Sequence, residues 1–461
     1  MGQVAGVADA MTRGTTGIAA NLANLVADPA GTGTRLGPTV RPAPYPRPGA
    51  PARPGAGTSP ARGADGYRSP YRVTDEALIL LDQRALPDRL EEQTCRRASD
   101  VAFYLRVGAA RGGPLMAQLA AYGVALTARE FAPRSYRQRV AEFQRVERSI
   151  VAARPGSRML RWSLGRMRAI WEGFDPEAPG VDVATALRAQ ADAVAMDAQL
   201  DHAAIARTLA DLLPRPDGRP LHVLVHGAPG MLTCGHVGTV LGAIERIAGE
   251  GRPVKVWVTE TRPDLEGARL ATWELAQHSI EHVTLPDSAV AYLLGNEAID
   301  AVLMGAEWIA ANGDSANVIG SRAAAELAAV AGRDGPVPVM VAAPVATVDL
   351  ATADGAALPK ELRPPRDLAT FQTGFRVDRL SALNPAIDVV PADRIGALVT
   401  EVGAIDPSDA DALAAAVAER DARRPALPTP WAPTAAAETP SPEGTPRGNA
   451  NPVDDDDEDA S

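Results

Sequence analysis

The sequence predicts a mixed α/β fold, with an N-terminal mostly helical domain followed by a doubly wound parallel-sheet domain. Two observations predict it. From residue 71 to 213 the apolar residues recur mainly at helical spacing, whereas from Leu221 onward short apolar runs alternate with helical stretches. Such alternation implies right-handed crossovers and a sheet buried on both faces. The 461 residues are 46% hydrophobic, enough for a large core, but only 4% aromatic, so Ala, Val, Leu and Ile must build that core.

The elements follow in order. Residues 1–70 form a Pro/Gly/Arg-rich extension that cannot bury enough apolar surface to offset its ordering entropy and is expected to be disordered. Within it, residues 17–28 carry Ile18, Leu22 and Leu25 at helical spacing and are expected to form a short helix. Such a helix is either a passive extension or a docking peptide. Residues 71–213 are expected to form the helical domain. Its one anticipated strand is ALILLD, and its helices include PLMAQLAAYGVALTARE and SYRQRVAEFQRVERSIVAA, the latter broken by Pro155 and Gly156. Residues 214–404 form the sheet domain, with strands at LHVLV, VKVWVT, HVTL, IDAVLM and VPVMVAA. In such folds ligands bind beyond the carboxyl ends of the strands, so the turns there are where chemistry is sought. A helix over 405–424 either packs on the domain or frays, and residues 425–461 form a disordered acidic tail.

Composition excludes several classes. The net charge of −11 repels phosphate backbones, so nucleic-acid binding is not expected. The two cysteines, Cys95 and Cys234, have no metal-like spacing and fit a reducing cytoplasm. No apolar run is long enough for a membrane span, and the first residues match neither a secretory signal nor a myristoylation site, where Gly6 replaces the required Ser or Thr.

Several strand-end turns resemble those of the methylthioribose-1-phosphate isomerase and initiation factor 2B family. LDQRALP at 81–87 resembles its opening strand signature. ARGGPLMAQLAAYGVAL from Ala110 resembles its Arg-Gly-Ala-Pro turn and helix, and ARPGSRMLRWSLGRM from Ala153 its Arg-Pro segment. VHGAPGMLTCGHVGTVLG from Val225 resembles its Thr-His-Cys-Asn-Thr-Gly turn. TETRPDLEGARLATWEL, GAEWIAANGDSANVIGS and NPAIDVVPADRI complete the pattern. Order and spacing agree over about residues 71 to 403. The resemblance implies a Rossmann-like second domain, a homodimer, no cofactor or metal, and a place in methionine salvage.

Isomerases of this family open a furanose 1-phosphate and move a hydrogen between C1 and C2. That chemistry needs a phosphate clamp and an acid–base pair. By resemblance, Arg111 with Gly112 and Gly113, and Arg154, supply the clamp. An interdomain salt bridge is the alternative role of each arginine. The remaining positions depart from the pattern. The catalytic Cys falls on Gly227, which offers no thiol. The catalytic Asp falls on Glu307, about 1.5 Å longer, a displacement large enough to cost on the order of 10²-fold in rate. The substrate-binding Gln falls on Glu266, and an Asn-Lys pair on Asn317 and Val318, so one positive charge is lost and one negative charge gained. His226 keeps its place as a general base or a packing residue, and His236 has the same two roles open. Cys234, some 10 Å along a helix from position 227, is either a buried packing residue or a substitute thiol. Glu260 and Asp314 hold loops, with Arg262 and Arg269 expected to pair with such acids.

Three functions remain open: an isomerase-like enzyme on a different, less anionic sugar-phosphate-like ligand, a non-catalytic ligand-sensing or assembly subunit, and an ordinary methylthioribose-1-phosphate isomerase. In the first, Glu307 and His226 move protons. The tails at both ends leave room for a protein partner.

Overall fold

The computed structural model describes residues 69–358, 361–369 and 381–423, together with a short antiparallel ladder between Arg62–Gly63 and Gly66–Tyr67. The helix expected over 17–28, nearly all of the 1–70 extension and the tail from 425 lie outside the described residues.

Where one strand was expected near the start, three occur. β1 (Tyr71–Val73), β2 (Leu78–Leu81) and β3 (Glu92–Cys95) form an antiparallel sheet. The outer two are short and polar, so only β2 carries a readable apolar run. Helices α1 (Ala98–Arg106), α2 (Gly113–Phe131), α3 (Tyr136–Ala153), α4 (Arg158–Glu172) and α5 (Gly180–Leu212) follow. α3 shows why such segments are helical. Ser135 and Gln138 form a capping box at its start, and Phe143, Val146, Ile150 and Ala153 are buried at alternating four- and three-residue spacing. α5 serves two cores: Leu187, Ala191 and Val194 pack with the other helices, whereas Ile205, Ala206 and Leu209 pack on the second sheet.

That second sheet has seven strands. β4 (Leu221–His226), β5 (Val254–Thr259) and β6 (Glu281–Leu285) run outward in one direction. β7 (Ala301–Met304) then returns to the other side of β4. A small second sheet follows: β8 (Trp308–Ala310), β9 (Ser315–Val318), β11 (Val348–Asp349) and β12 (Ile387–Val390), in the order β11-β8-β9-β12, while β10 (Val339–Ala342) rejoins the large one. β13 (Ala397–Thr400) extends the parallel array and β14 (Gly403–Ile405) closes it antiparallel. The small sheet was not anticipated, because its two- to four-residue strands are too short to set a period. Crossovers include α6 (Met231–Cys234), α7 (Val240–Gly249), a π turn at Gly267–Ala271 leading into α8 (Thr272–Gln277), α9 (Val290–Asn296) and α10 (Ser321–Val330). The final helix, α11 (Ala410–Arg423), packs rather than frays, since Leu413 and Ala416 are buried.

Candidate functional site

The strand order of the large sheet reverses between β4 and β7, and this switch point opens a crevice at their carboxyl ends. Gly227 follows β4, and residues 305–307 follow β7. The N-terminus of α2 lies across the opening, where an ideal Cβ on Gly112 would sit 2.2 Å from the Thr233 carbonyl oxygen. Only a glycine permits that approach, and Gly112 also has a left-handed φ of +94°. The resulting cleft encloses about 1120 Å³, its open mouth included.

Ten of the residues singled out from the sequence line this cleft. Arg111, Gly112, Gly113 and Arg154 come from the helical layers. His226, Gly227, Glu266, Glu307, Asn317 and Val318 come from the sheet turns. Contiguity along the chain could not have grouped them; the topology does.

Their roles divide on geometry. Glu307 is half-buried in the cleft wall, and its Oε1 accepts a hydrogen bond from Gly113 N–H at 3.2 Å. Burial pushes its pKa up to about 7, with the carboxylates of Glu266 and Glu361 adding to the rise and the Gly113 N–H and Arg154 opposing it. His226 behaves otherwise. Its Nε2 lies 3.0 Å from the Ile319 carbonyl and its Nδ1 2.9 Å from the Thr259 hydroxyl. A carbonyl can only accept, so Nε2 carries the proton and Nδ1 accepts from Thr259. Burial pushes the imidazole pKa down. With both nitrogens engaged, the geometry favours the packing and hydrogen-bonding role of the two open to His226 over the general-base role. Gly227 has a left-handed φ of +84°, and a Cβ there would meet only Val318 Cγ1 at 3.3 Å. The buried Asn317 donates from Nδ2 to Ser315, while its Oδ1 has no hydrogen-bond partner among the described residues. An orphaned acceptor in a cleft wall suits a ligand hydroxyl.

The arginines are partnered. Arg111 binds Asp264 through two hydrogen bonds of 2.8 and 2.9 Å and reaches Glu266 at 3.4 Å. Arg154 donates to the Leu105 carbonyl at 3.0 Å and lies 3.9 Å from Glu361. Burial, with Arg111 nearby, lowers its pKa. The salt-bridge role considered for each therefore applies, and Glu266 acts first on Arg111. Sequence reasoning missed Asp264, Glu361 and Arg363, which also line the cleft. Arg363 contacts Asp264 and pairs with Asp367 at 3.2 Å; burial pushes its pKa down to about 10. Asp264 stood inside a motif and could have been found there. Arg363 and Glu361 sit on irregular chain beyond the small sheet, with no period to mark them. Among the described lining residues, three arginines thus face four carboxyl groups, Asp264, Glu266, Glu307 and Glu361.

Other expectations resolve as follows. Cys234 lines the cleft, but burial pushes its thiol up to about 11, so it stays protonated and packs. The His236 ring instead stacks, tilted, 5.5 Å from Tyr71. Asp314 holds loops, accepting from Ala392 N–H at 3.0 Å and Gly355 N–H at 2.9 Å. Among the described residues Arg262 and Arg269 do not make the expected pairing with acids: Arg269 donates to the carbonyls of Leu86, Gln83 and Asp264, and Arg262 to that of Pro263. Carbonyls that would otherwise be buried without donors claim them first. Among the described residues no cluster of three or more His, Cys, Asp or Glu is placed to hold a metal ion, and no helix is long and apolar enough to cross a membrane.

A half-buried carboxyl at the switch point of a parallel sheet, with arginines around it, places the chain among α/β proteins whose cleft lies at the carboxyl ends of the strands. The profile of the Initiation factor 2 subunit family (IF-2B) matches residues 109–407, and the chain belongs to that family. It is 39% identical over 338 residues to the methylthioribose-1-phosphate isomerase of Chloroflexus aurantiacus, covering 72% of this chain and 94% of the relative. It is 36% identical over 347 residues to that of Nitratidesulfovibrio vulgaris, covering 75% and 96%. The crystal structure of 5-methylthioribose 1-phosphate isomerase from Pyrococcus horikoshii superposes with a TM-score of 0.68 at 25% identity, covering 77% of this chain and 96% of that one. The delta subunit of translation initiation factor eIF-2B from A. fulgidus superposes with a TM-score of 0.63 at 27% identity, covering 76% and 100%.

Proposed function

We propose that this chain is a divergent aldose–ketose isomerase of its family, acting on a sugar-phosphate-like ligand with Glu307 as the group that moves protons. One observation carries the reading: Glu307 stands half-buried in the cleft wall at the switch point, held by the Gly113 N–H, where desolvation raises its carboxyl to about 7 and lets it accept and return a proton at neutral pH. The chemistry balances with one such group and solvent water. A water at the open mouth of the cleft gives the ring oxygen a proton as its bond to C1 breaks, leaving hydroxide. The Glu307 carboxylate takes the C2 proton, giving an enol across C1 and C2. It returns that proton to C1 while the C2 hydroxyl gives its own to the hydroxide, which becomes water again, and C2 becomes the ketone. Asn317 Oδ1 accepts a ligand hydroxyl, and Arg111, Arg154 and Arg363 hold the anionic end. The reading includes a homodimer in the cytoplasm without a resident cofactor.

A second reading, a non-catalytic ligand-sensing or assembly subunit, is favoured by the two hydrogen bonds through which Asp264 already engages Arg111. A phosphate must compete with that carboxylate.

Proton NMR in D2O of methylthioribose 1-phosphate, ribose 1-phosphate and ribose 1,5-bisphosphate distinguishes the two. A ketose product that Glu307→Gln no longer forms supports the isomerase. A rise in melting temperature without turnover supports the sensing subunit. Neither effect with any of the three sugars removes sugar phosphates from consideration and moves the search to protein partners of the tails.

A further inference from the structure

We infer that Gly113 is the positioning residue for Glu307: the first residue of α2 lacks a side chain so that a carboxyl one methylene longer than that of aspartate can seat against the helix N-terminus. The backbone does not require a glycine here, since Gly113 has no left-handed φ, unlike Gly112 beside it. Space requires it. An ideal Cβ on Gly113 would lie 2.8 Å from Glu307 Oε2, whereas its other close neighbours, Glu307 Cδ and Met159 Cβ, are at an ordinary 3.5 Å. The carboxyl is thus the only group that a methyl would displace. Displacement breaks the hydrogen bond from Gly113 N–H to Oε1 and turns the carboxyl toward the open cleft. Positions 113 and 307 are therefore a matched pair, and each residue limits what the other can be.

The consequence for turnover rests on Glu307 being the acid–base group. The test does not, because it reads the carboxyl in the ligand-free full-length chain. The titration of residue 307 is followed by carbon NMR with carboxyl-labelled Glu or Asp, and Glu307→Gln assigns the signal. Gly113→Ala is expected to lower the midpoint of the Glu307 carboxyl by about one pH unit or more, because regained solvent, acting on the largest cause of the rise, outweighs the loss of the Gly113 N–H hydrogen bond, which by itself would raise the midpoint. In the Glu307→Asp background the shorter carboxyl clears the methyl, and adding Gly113→Ala is expected to leave its midpoint unmoved. No shift on Gly113→Ala alone, or an equal shift in both backgrounds, overturns the proposal. If Gly113→Ala alone fails to fold, the double variant must still fold; failure of both overturns it as well. A chain without isomerase activity can pass or fail this test, so the two ideas are separable.

Discussion

At position 227 the backbone itself limits what chemistry can be restored. A φ of +84° is costly for any residue with a Cβ, on the order of 1–2 kcal/mol. We expect Gly227→Cys to lower stability by about that amount in urea unfolding, and not to create a better isomerase alone. On the proposed reading, Glu307 is the group that carries the proton transfer. Glu307→Gln keeps the shape and removes the base, so turnover should fall by about 10²- to 10⁴-fold. With the base form required and a pKa near 7, kcat/KM should drop as the pH falls below about 7, and this limb should vanish in the variant. Of the residues named from the sequence, Glu307 was legible because it stands in a motif. His226 stands in one too, yet its neutral, doubly bonded state depends on Thr259 and Ile319, which lie 33 and 93 residues away.

The loop between β4 and α7 shows how an element is held by one side chain. Glu274 on α8 is buried, and its carboxyl oxygens accept from Met231 N–H at 2.6 Å and Leu232 N–H at 2.9 Å, fixing the short α6 that borders the cleft. Burial, with Glu245 nearby, pushes its pKa up to about 8; burial pushes that of Glu245 up to about 7. Both folded values lie above the ordinary 4.5, so the stability these groups contribute is fully present below about pH 4.5 and is lost as the pH rises through 7 and 8. Glu274→Gln leaves one buried N–H without an acceptor, which should cost about 1–3 kcal/mol at pH 6. It should also flatten the loss of stability between about pH 4.5 and 8, measured by chemical denaturation across that range. At this scale the long helices and the parallel strands were legible from their periods. The small sheet was not: β8, β9, β11 and β12 are held by partners up to 75 residues apart, as in the pairing of Ser315 with Val390.

For the whole molecule, the bond between Arg111 and Asp264 joins the helical layer to the sheet domain and also occupies an arginine that a phosphate would use. Asp264→Asn should release that guanidinium and tighten inorganic phosphate binding by about tenfold, or about 1.4 kcal/mol, measured by calorimetry. Unchanged affinity would mean that Arg111 has a purely structural role. Periodicity and motif order by themselves determined the α/β class, the family resemblance and the set of turns that meet at the site, because these are written in local residue choices. Only the tertiary structure decided which groups are ionised, which nitrogens are free and which arginines are already matched. Those properties depend on burial and on partners that approach within hydrogen-bond distance from remote parts of the chain, and no local pattern encodes them.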